Sequence, residues 1–238
     1  MLDSSDFLQL LRKMGHDMRV PLNTIISTGD MLMEGTYDPL TAKQEKAVVR
    51  LQRNNQRLLA ILDDFMTYMK ADAGELMLNP KPFDPRTQLE AWMSPIDQEA
   101  KKSGITLRLT TAENVPALVT ADETSIKKII QALLWNALAH TTQGEILIAS
   151  DWTPEQVWLI DIKDSGSGIS ADDLPHIFEP FWRGEARPQF PTAGAGLGLP
   201  LSFALAKLMD GKLFLQKTSS DGSHFCLQTP VEKKISIE

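Results

Sequence analysis

One cysteine, Cys226, stands among 238 residues, so no disulfide can form within the chain. Such usage suits a reducing cytoplasm, and Cys226, inside a strand-like run near the carboxyl end, is expected to be a small core residue. Apolar runs are short. None approaches the roughly 20 residues that a membrane span needs, and the amino terminus lacks a basic-then-apolar secretory pattern, so no membrane segment is expected. Positive charge is scarce as well: 24 Lys and Arg face 31 Asp and Glu, a formal net charge of -7, with no basic cluster. A nucleic-acid partner is not expected, because its phosphate backbone would be repelled. The absence of repeats, low-complexity tracts and long single-sign charge runs argues against a solenoid or extensive disorder.

What is present divides the chain in two. From Ser4 to about Glu34, Phe7, Leu11, Met14, Met18, Leu22 and Ile25 recur at the three-and-four spacing of one helix face. A break at Gly35-Thr36-Tyr37-Asp38-Pro39 precedes a second helical run with Val48, Leu51, Leu58, Leu62, Phe65 and Met69 on a near-heptad seam. Asn55 interrupts that seam, where a polar residue can fix register. Two such helices bury too little alone, so a second copy completing a four-helix bundle is expected. Three prolines in Asn79-Pro80-Lys81-Pro82-Phe83-Asp84-Pro85 then stop any helix and place the domain boundary, giving residues 1–78 and 79–238. Beyond it, helices near Arg86 to Ser103, Thr124 to His140 and Leu199 to Met209 are interleaved with strands at Ile105 to Leu109, Glu145 to Asp151, Val157 to Lys163, Lys212 to Lys217 and His224 to Thr229. The expected class is α+β: an antiparallel helical hairpin followed by an α/β sandwich with helices on one face of a mixed sheet.

His16 lies two positions from both Met14 and Met18, about 200° around the helix from each, and so faces solvent. Residue type alone makes it an ordinary surface histidine. Its neighbours argue otherwise: Asp17 can accept the proton of one ring nitrogen and leave the other with a free lone pair, as attack on phosphorus requires. Pro21 lacks the N–H that would bond the Asp17 carbonyl, which predicts a loosened helix beside the histidine. Further on, Asp164-Ser165-Gly166-Ser167-Gly168-Ile169 follows a strand, and Gly194-Ala195-Gly196-Leu197-Gly198-Leu199 opens a helix. Either could be a tight turn, yet a carboxylate can accept from an exocyclic amine, and a glycine-rich helix start is an anion site. Asn136 could equally cap a helix interface.

Together these stretches resemble the boxes of sensor histidine kinases. His16-Asp17-Met18-Arg19-Val20-Pro21-Leu22 is similar to the family's histidine box, and the two glycine boxes look like those of the Bergerat-fold ATPases shared with gyrases, chaperones and mismatch-repair proteins. The resemblance implies that His16 is phosphorylated with Asp17 as its base, that Asp164 binds adenine, and that Gly194, Gly196 and Gly198 shape a phosphate lid. Gly166, Gly168, Ile169, Leu197 and Arg183 fall in the same ATP-binding set. Ile177-Phe178-Glu179-Pro180-Phe181-Trp182-Arg183 resembles the phenylalanine box, with a mobile lid from about Trp182 to Ala193. By the same likeness Asn136 meets Mg²⁺ and Ser223 supplies a hydroxyl near the adenine. The implied activity is autophosphorylation of His16 from ATP with Mg²⁺, then transfer to an aspartate of a response-regulator receiver domain, with a homodimer as the working unit.

The chain departs from the pattern at Ala132, usually asparagine, at Ala139, often lysine or arginine, and at Val20, usually threonine or asparagine. The first two motivate the alternative of a pseudokinase or histidine phosphotransferase with impaired ATP use. Val20 implies a weak phosphatase. A water-activating ATPase would need a carboxylate at residue 132, which alanine does not supply. His140 receives no role, and His176 and His224 are expected at the surface or rim.

Overall fold

The structure is a computed structural model that describes residues 4–184 and 195–233. It divides into two compact units, Met1–Lys70 and Ala71–Glu238, ahead of the boundary expected at residue 79.

The first unit is a hairpin of α1 (Ser4–Met33) and α2 (Ala42–Asp72). Pro21 lies inside α1 without ending it. The turn between the helices is closed by Thr41, whose N–H and hydroxyl both donate to Gln44 Oε1 while its Oγ1 accepts from the Gln44 N–H. That is a reciprocal cap of the first turn of α2. Each expected apolar seam proves to be two adjacent stripes. One stripe faces the opposite helix and buries Leu22, Val48, Leu62 and Met66, with Leu59 and Phe65 packed alongside. The other leaves Met14, Met18, Ile25, Leu51 and Leu58 exposed. The closest approaches are made at glycines: a Cβ on Gly15 would lie 2.7 Å from Met66 Sδ, and one on Gly29 2.8 Å from Gln52 Cγ. Asn55 is buried between the helices, where its Nδ2 donates to the Leu22 carbonyl at 2.6 Å. It lies on the buried stripe with Val48 and Leu62, seven residues from each, and a one-turn slip of the hairpin would leave its amide without this acceptor.

The second unit is built on a five-stranded sheet in the order β2-β4-β5-β7-β6, comprising β2 (Thr106–Thr111), β4 (Glu145–Trp152), β5 (Val157–Asp164), β7 (Gly222–Pro230) and β6 (Lys212–Ser219). β2 runs parallel to β4 and the remaining pairs are antiparallel, so the sheet is mixed as expected. Strict alternation in β5 sends Trp158, Ile160 and Ile162 into the core. There they meet α3 (Pro85–Lys102), α4 (Glu123–His140) and α5 (Gly198–Leu208). Asp84 and Asp122 cap α3 and α4 by accepting backbone N–H bonds. A second sheet of very short strands, β1 (Lys81–Phe83), β3 (Val119–Ala121) and β8 (Glu232–Lys233), was not foreseen. It seats Phe83 against Trp92 and Trp158, with ring centroids 5.9 and 6.2 Å apart.

Candidate active site

In the hairpin, His16 is solvent-exposed, with side-chain exposures of 78% for His16 and 62% for Asp17. Nδ1 lies 3.5 Å from Asp17 Oδ1, a long contact between two exposed side chains. Arg19, three residues on and turned toward α2, is engaged with Asp63: its Nε donates to Asp63 Oδ1 at 2.9 Å and its Nη2 lies 2.7 Å from the same oxygen. Val20 is exposed one turn beyond His16, and its carbonyl accepts from Thr24 Oγ1.

In the second unit the site forms where β5 ends. Asp164 is half-buried, and its Oδ1 accepts from the Gly166 N–H at 2.9 Å and the Ser223 N–H at 3.2 Å. Burial raises its pKa above the usual carboxylate value, opposed by those two N–H groups and by His140. Its Oδ2 has no hydrogen-bond partner among the described residues. The glycines here are required by close backbone approach. A Cβ on Gly166 would strike the His140 carbonyl, one on Gly168 (φ +70) the Ser219 carbonyl, and one on Gly222 (φ +123) the Asp164 carbonyl. Thr218 Oγ1 accepts from the Ile169 N–H at 2.8 Å and lies 3.2 Å from the buried Ser223 Oγ.

Asn136, Ala132, Ala139 and His140 are all half-buried on α4. A Cβ built on Gly198 would lie 3.6 Å from the Ala132 Cβ, so the amino end of α5 and the α4 face that carries Asn136 meet at two small residues. The second glycine box is held through Gly196 (φ +75), whose carbonyl accepts from the Phe181 N–H at 2.9 Å. Arg183 is exposed; Gly194 and most of the expected lid, residues 185–194, lie outside the described residues. Among the described residues no group of three or more His, Cys, Asp or Glu is placed to hold a metal. The residue expected at Mg²⁺, Asn136, is an amide on α4, a donor type that suits a cation held mainly by a ligand's phosphates.

Residues 8–74 match the His Kinase A (phospho-acceptor) domain, and residues 121–233 match the histidine kinase-, DNA gyrase B-, and HSP90-like ATPase family. The chain is the catalytic core of a sensor histidine kinase. This kinase core is 33% identical over 223 residues to the sensor protein TorS of Escherichia coli K12, covering 93% of the chain and 24% of TorS. It is 29% identical to the signal transduction histidine-protein kinase BarA of the same organism, over 91% of the chain and 24% of BarA. The chain thus spans about a quarter of the length of these relatives. Its fold is that of full-length ShkA solved in complex with AMPPNP (TM-score 0.82, 24% identity, 96% of this chain and 47% of that one). The Acinetobacter baumannii histidine kinase AdeS shares it at TM-score 0.63 and 22% identity, over 90% of this chain and 97% of that one.

Three histidines of the kinase core have surroundings that sequence reasoning did not give them. His140 has its pKa lowered by burial, partly offset by Asp164, and its carbonyl accepts from the Ser167 N–H. Its position four residues after Asn136, on the same helix face, was the available signal. His176 lies against Trp182 with ring centroids 4.4 Å apart, and its Nδ1 is 3.0 Å from Glu179 Oε1 without hydrogen-bond geometry, close to the phenylalanine box. His224 was expected at the surface or rim; it is half-buried along β7 and its Nε2 lies 2.6 Å from Asp161 Oδ1. Cys226, directly opposite Asp161 in the ladder, is buried as expected. Burial first, then the Asp161 carboxylate, pushes its thiol up to about 12, which makes it a poor nucleophile.

Proposed function

We propose that this core phosphorylates itself on His16 from ATP and passes the phosphoryl group to an aspartate on a response-regulator receiver domain. The observation that carries the reading is that one chain holds both an exposed His16 beside Asp17 and, at the end of β5, an Asp164 carboxylate fixed by backbone N–H groups among close-packed glycines. There the open Oδ2 of Asp164 accepts from the adenine amine, and Ser223 and Thr218 keep hydroxyls nearby. The AMPPNP complex of the fold-mate ShkA supports nucleotide binding here. Gly196 and Gly198 let the amino end of α5 approach the phosphates, where backbone N–H groups and the helix dipole favour negative charge. Asn136 offers its side-chain oxygen to Mg²⁺, which supplies charge neutralisation when bound.

His16 Nε2 then attacks the γ-phosphorus; the new N–P bond forms as the bond to the bridging oxygen breaks, and ADP leaves with the electron pair. Asp17 holds the Nδ1 proton throughout, stabilising the positive charge that develops on the ring. Positioning supplies most of the rate. The exposed stripes of Met14, Met18 and Ile25 on α1 and Leu51 and Leu58 on α2 support a homodimer in which a second hairpin covers them. Because the donor is ATP, the setting is the cytoplasm. Incubation with γ-labelled ATP should give acid-labile, base-stable phosphate on the protein; acid-stable phosphate, or none, would refute the reading.

Two departures from the family pattern set the rates. Ala132 is half-buried on α4 beside the amino end of α5, so Ala132→Asn would bring an amide toward the phosphates. An increase in autophosphorylation rate of about three- to tenfold is expected, from a polar contact worth about 1 kcal/mol; an unchanged rate in single-turnover kinetics would remove this account. Val20 cannot orient a water one turn from His16, since valine has threonine's shape without its hydroxyl. The core should therefore leave a phosphorylated regulator long-lived, and Val20→Thr should shorten that lifetime in the presence of ADP. Rapid dephosphorylation by the unaltered core would rule the idea out.

A further inference from the structure

We infer that the groove between α3 and the outer edge of β2 is a docking site for an extended, basic peptide segment that joins the sheet as a further strand. β2 and β6 are the two edges of the five-stranded sheet. They are treated differently. β6 has a register shift between Leu215 and Lys217 and exposed lysines at 212 and 217, the devices by which a sheet edge repels another strand. β2 has neither a bulge nor a proline, and its register with β4 is unbroken from Thr106↔Glu145 to Thr111↔Ser150. Its one charged residue, Arg108, is engaged with Glu145 of β4 at 3.4 Å.

The main-chain bonds fix which groups remain open. Thr106 N–H donates to the Gly144 carbonyl and Ala112 N–H to the Ser150 carbonyl, so the even-numbered residues turn their polar backbone toward β4. By the two-residue period, Leu107, Leu109 and Thr111 present theirs outward, where among the described residues no strand pairs with them. The same three residues line an open groove of about 580 Å³, completed across from them by Glu90, Met93 and Asp97 of α3. A ladder of free N–H and C=O groups beside a half-apolar trough is the arrangement by which a sheet captures an extended chain, with backbone bonds giving affinity and alternate side chains giving selectivity.

Charge decides the kind of segment. Asp97 is already paired with Lys101 at 2.6 Å, which leaves Glu90 as the lining charge without an ion pair among the described residues, in a chain of net charge -7. A strand that alternates basic and β-branched residues fits this wall.

The test uses the full chain and an acetylated hexapeptide of alternating lysine and valine. Its controls are a glutamate–valine peptide and a lysine–valine peptide N-methylated at alternate amides. Amide hydrogen exchange followed by NMR should slow at least tenfold at Leu107, Leu109 and Thr111 with the lysine–valine peptide, with β6 unaffected. N-methylation should abolish that protection, and Glu90→Lys should weaken binding several-fold. Equal binding of the N-methylated peptide, equal protection along β6, or no protection would overturn the inference. So would protection that grows with protein concentration without peptide, which would mean edge-to-edge pairing of two copies.

Discussion

His16→Gln should abolish phosphoprotein formation outright while the protein keeps its fold and its affinity for ATP. The side chain is exposed and makes only the long contact to Asp17, so its replacement should change stability by no more than about 0.5 kcal/mol. Glutamine's amide nitrogen delocalises its lone pair into the carbonyl and cannot attack phosphorus. Thermal denaturation and nucleotide titration should match the unaltered chain, and labelling should fall to background. Histidine-type phosphate surviving in this variant would move the acceptor elsewhere; loss of fold would show that His16 does more than present a nucleophile.

Asp164→Asn should weaken ATP binding about tenfold or more, since a hydrogen bond to a charged acceptor contributes about 1.5–3 kcal/mol and asparagine turns one oxygen into a donor that faces the adenine amine. The same change should not destabilise the nucleotide-free protein at neutral pH. The pKa of Asp164 is raised on folding, so the folded state favours the protonated form. The resulting penalty is absent below the unfolded value and grows until pH has passed the raised folded value. Asparagine removes it and can still accept the Gly166 and Ser223 N–H bonds through its oxygen. Calorimetry and melting together decide: a variant that melts well below the unaltered chain at neutral pH, or binds ATP as tightly, would contradict this assignment.

Much of this was legible because the signals are local. Helical spacing placed α1 and α2 to within a few residues, and the glycine boxes could be read from composition at a strand end and a helix start. What escaped depends on which parts of the chain meet. Periodicity marks an apolar stripe but not how much of it a neighbouring helix covers, so Met14, Met18, Leu51 and Leu58 were read together with Leu22 and Leu62, though only the latter two are buried within the hairpin. Asn55 was identified as a register residue, but its acceptor, the Leu22 carbonyl, belongs to backbone that no side-chain pattern reports. Nothing local to Gly222 reports the Asp164 carbonyl that lies against it. The strands of the small sheet are two or three residues long, too short for an alternation to register.

The way the chain leaves the hairpin sets a leash. α2 ends at Asp72, and the Asn79 N–H is fastened at 2.6 Å to Asp122, the same buried carboxylate that caps α4. Only residues 73–78 lie between, which at full extension reach roughly 20 Å. Gly15 packs on Met66, so His16 stands about 9 Å along the axis from the end of α2. A turn of the end of α2 therefore has only these six residues in which to be absorbed.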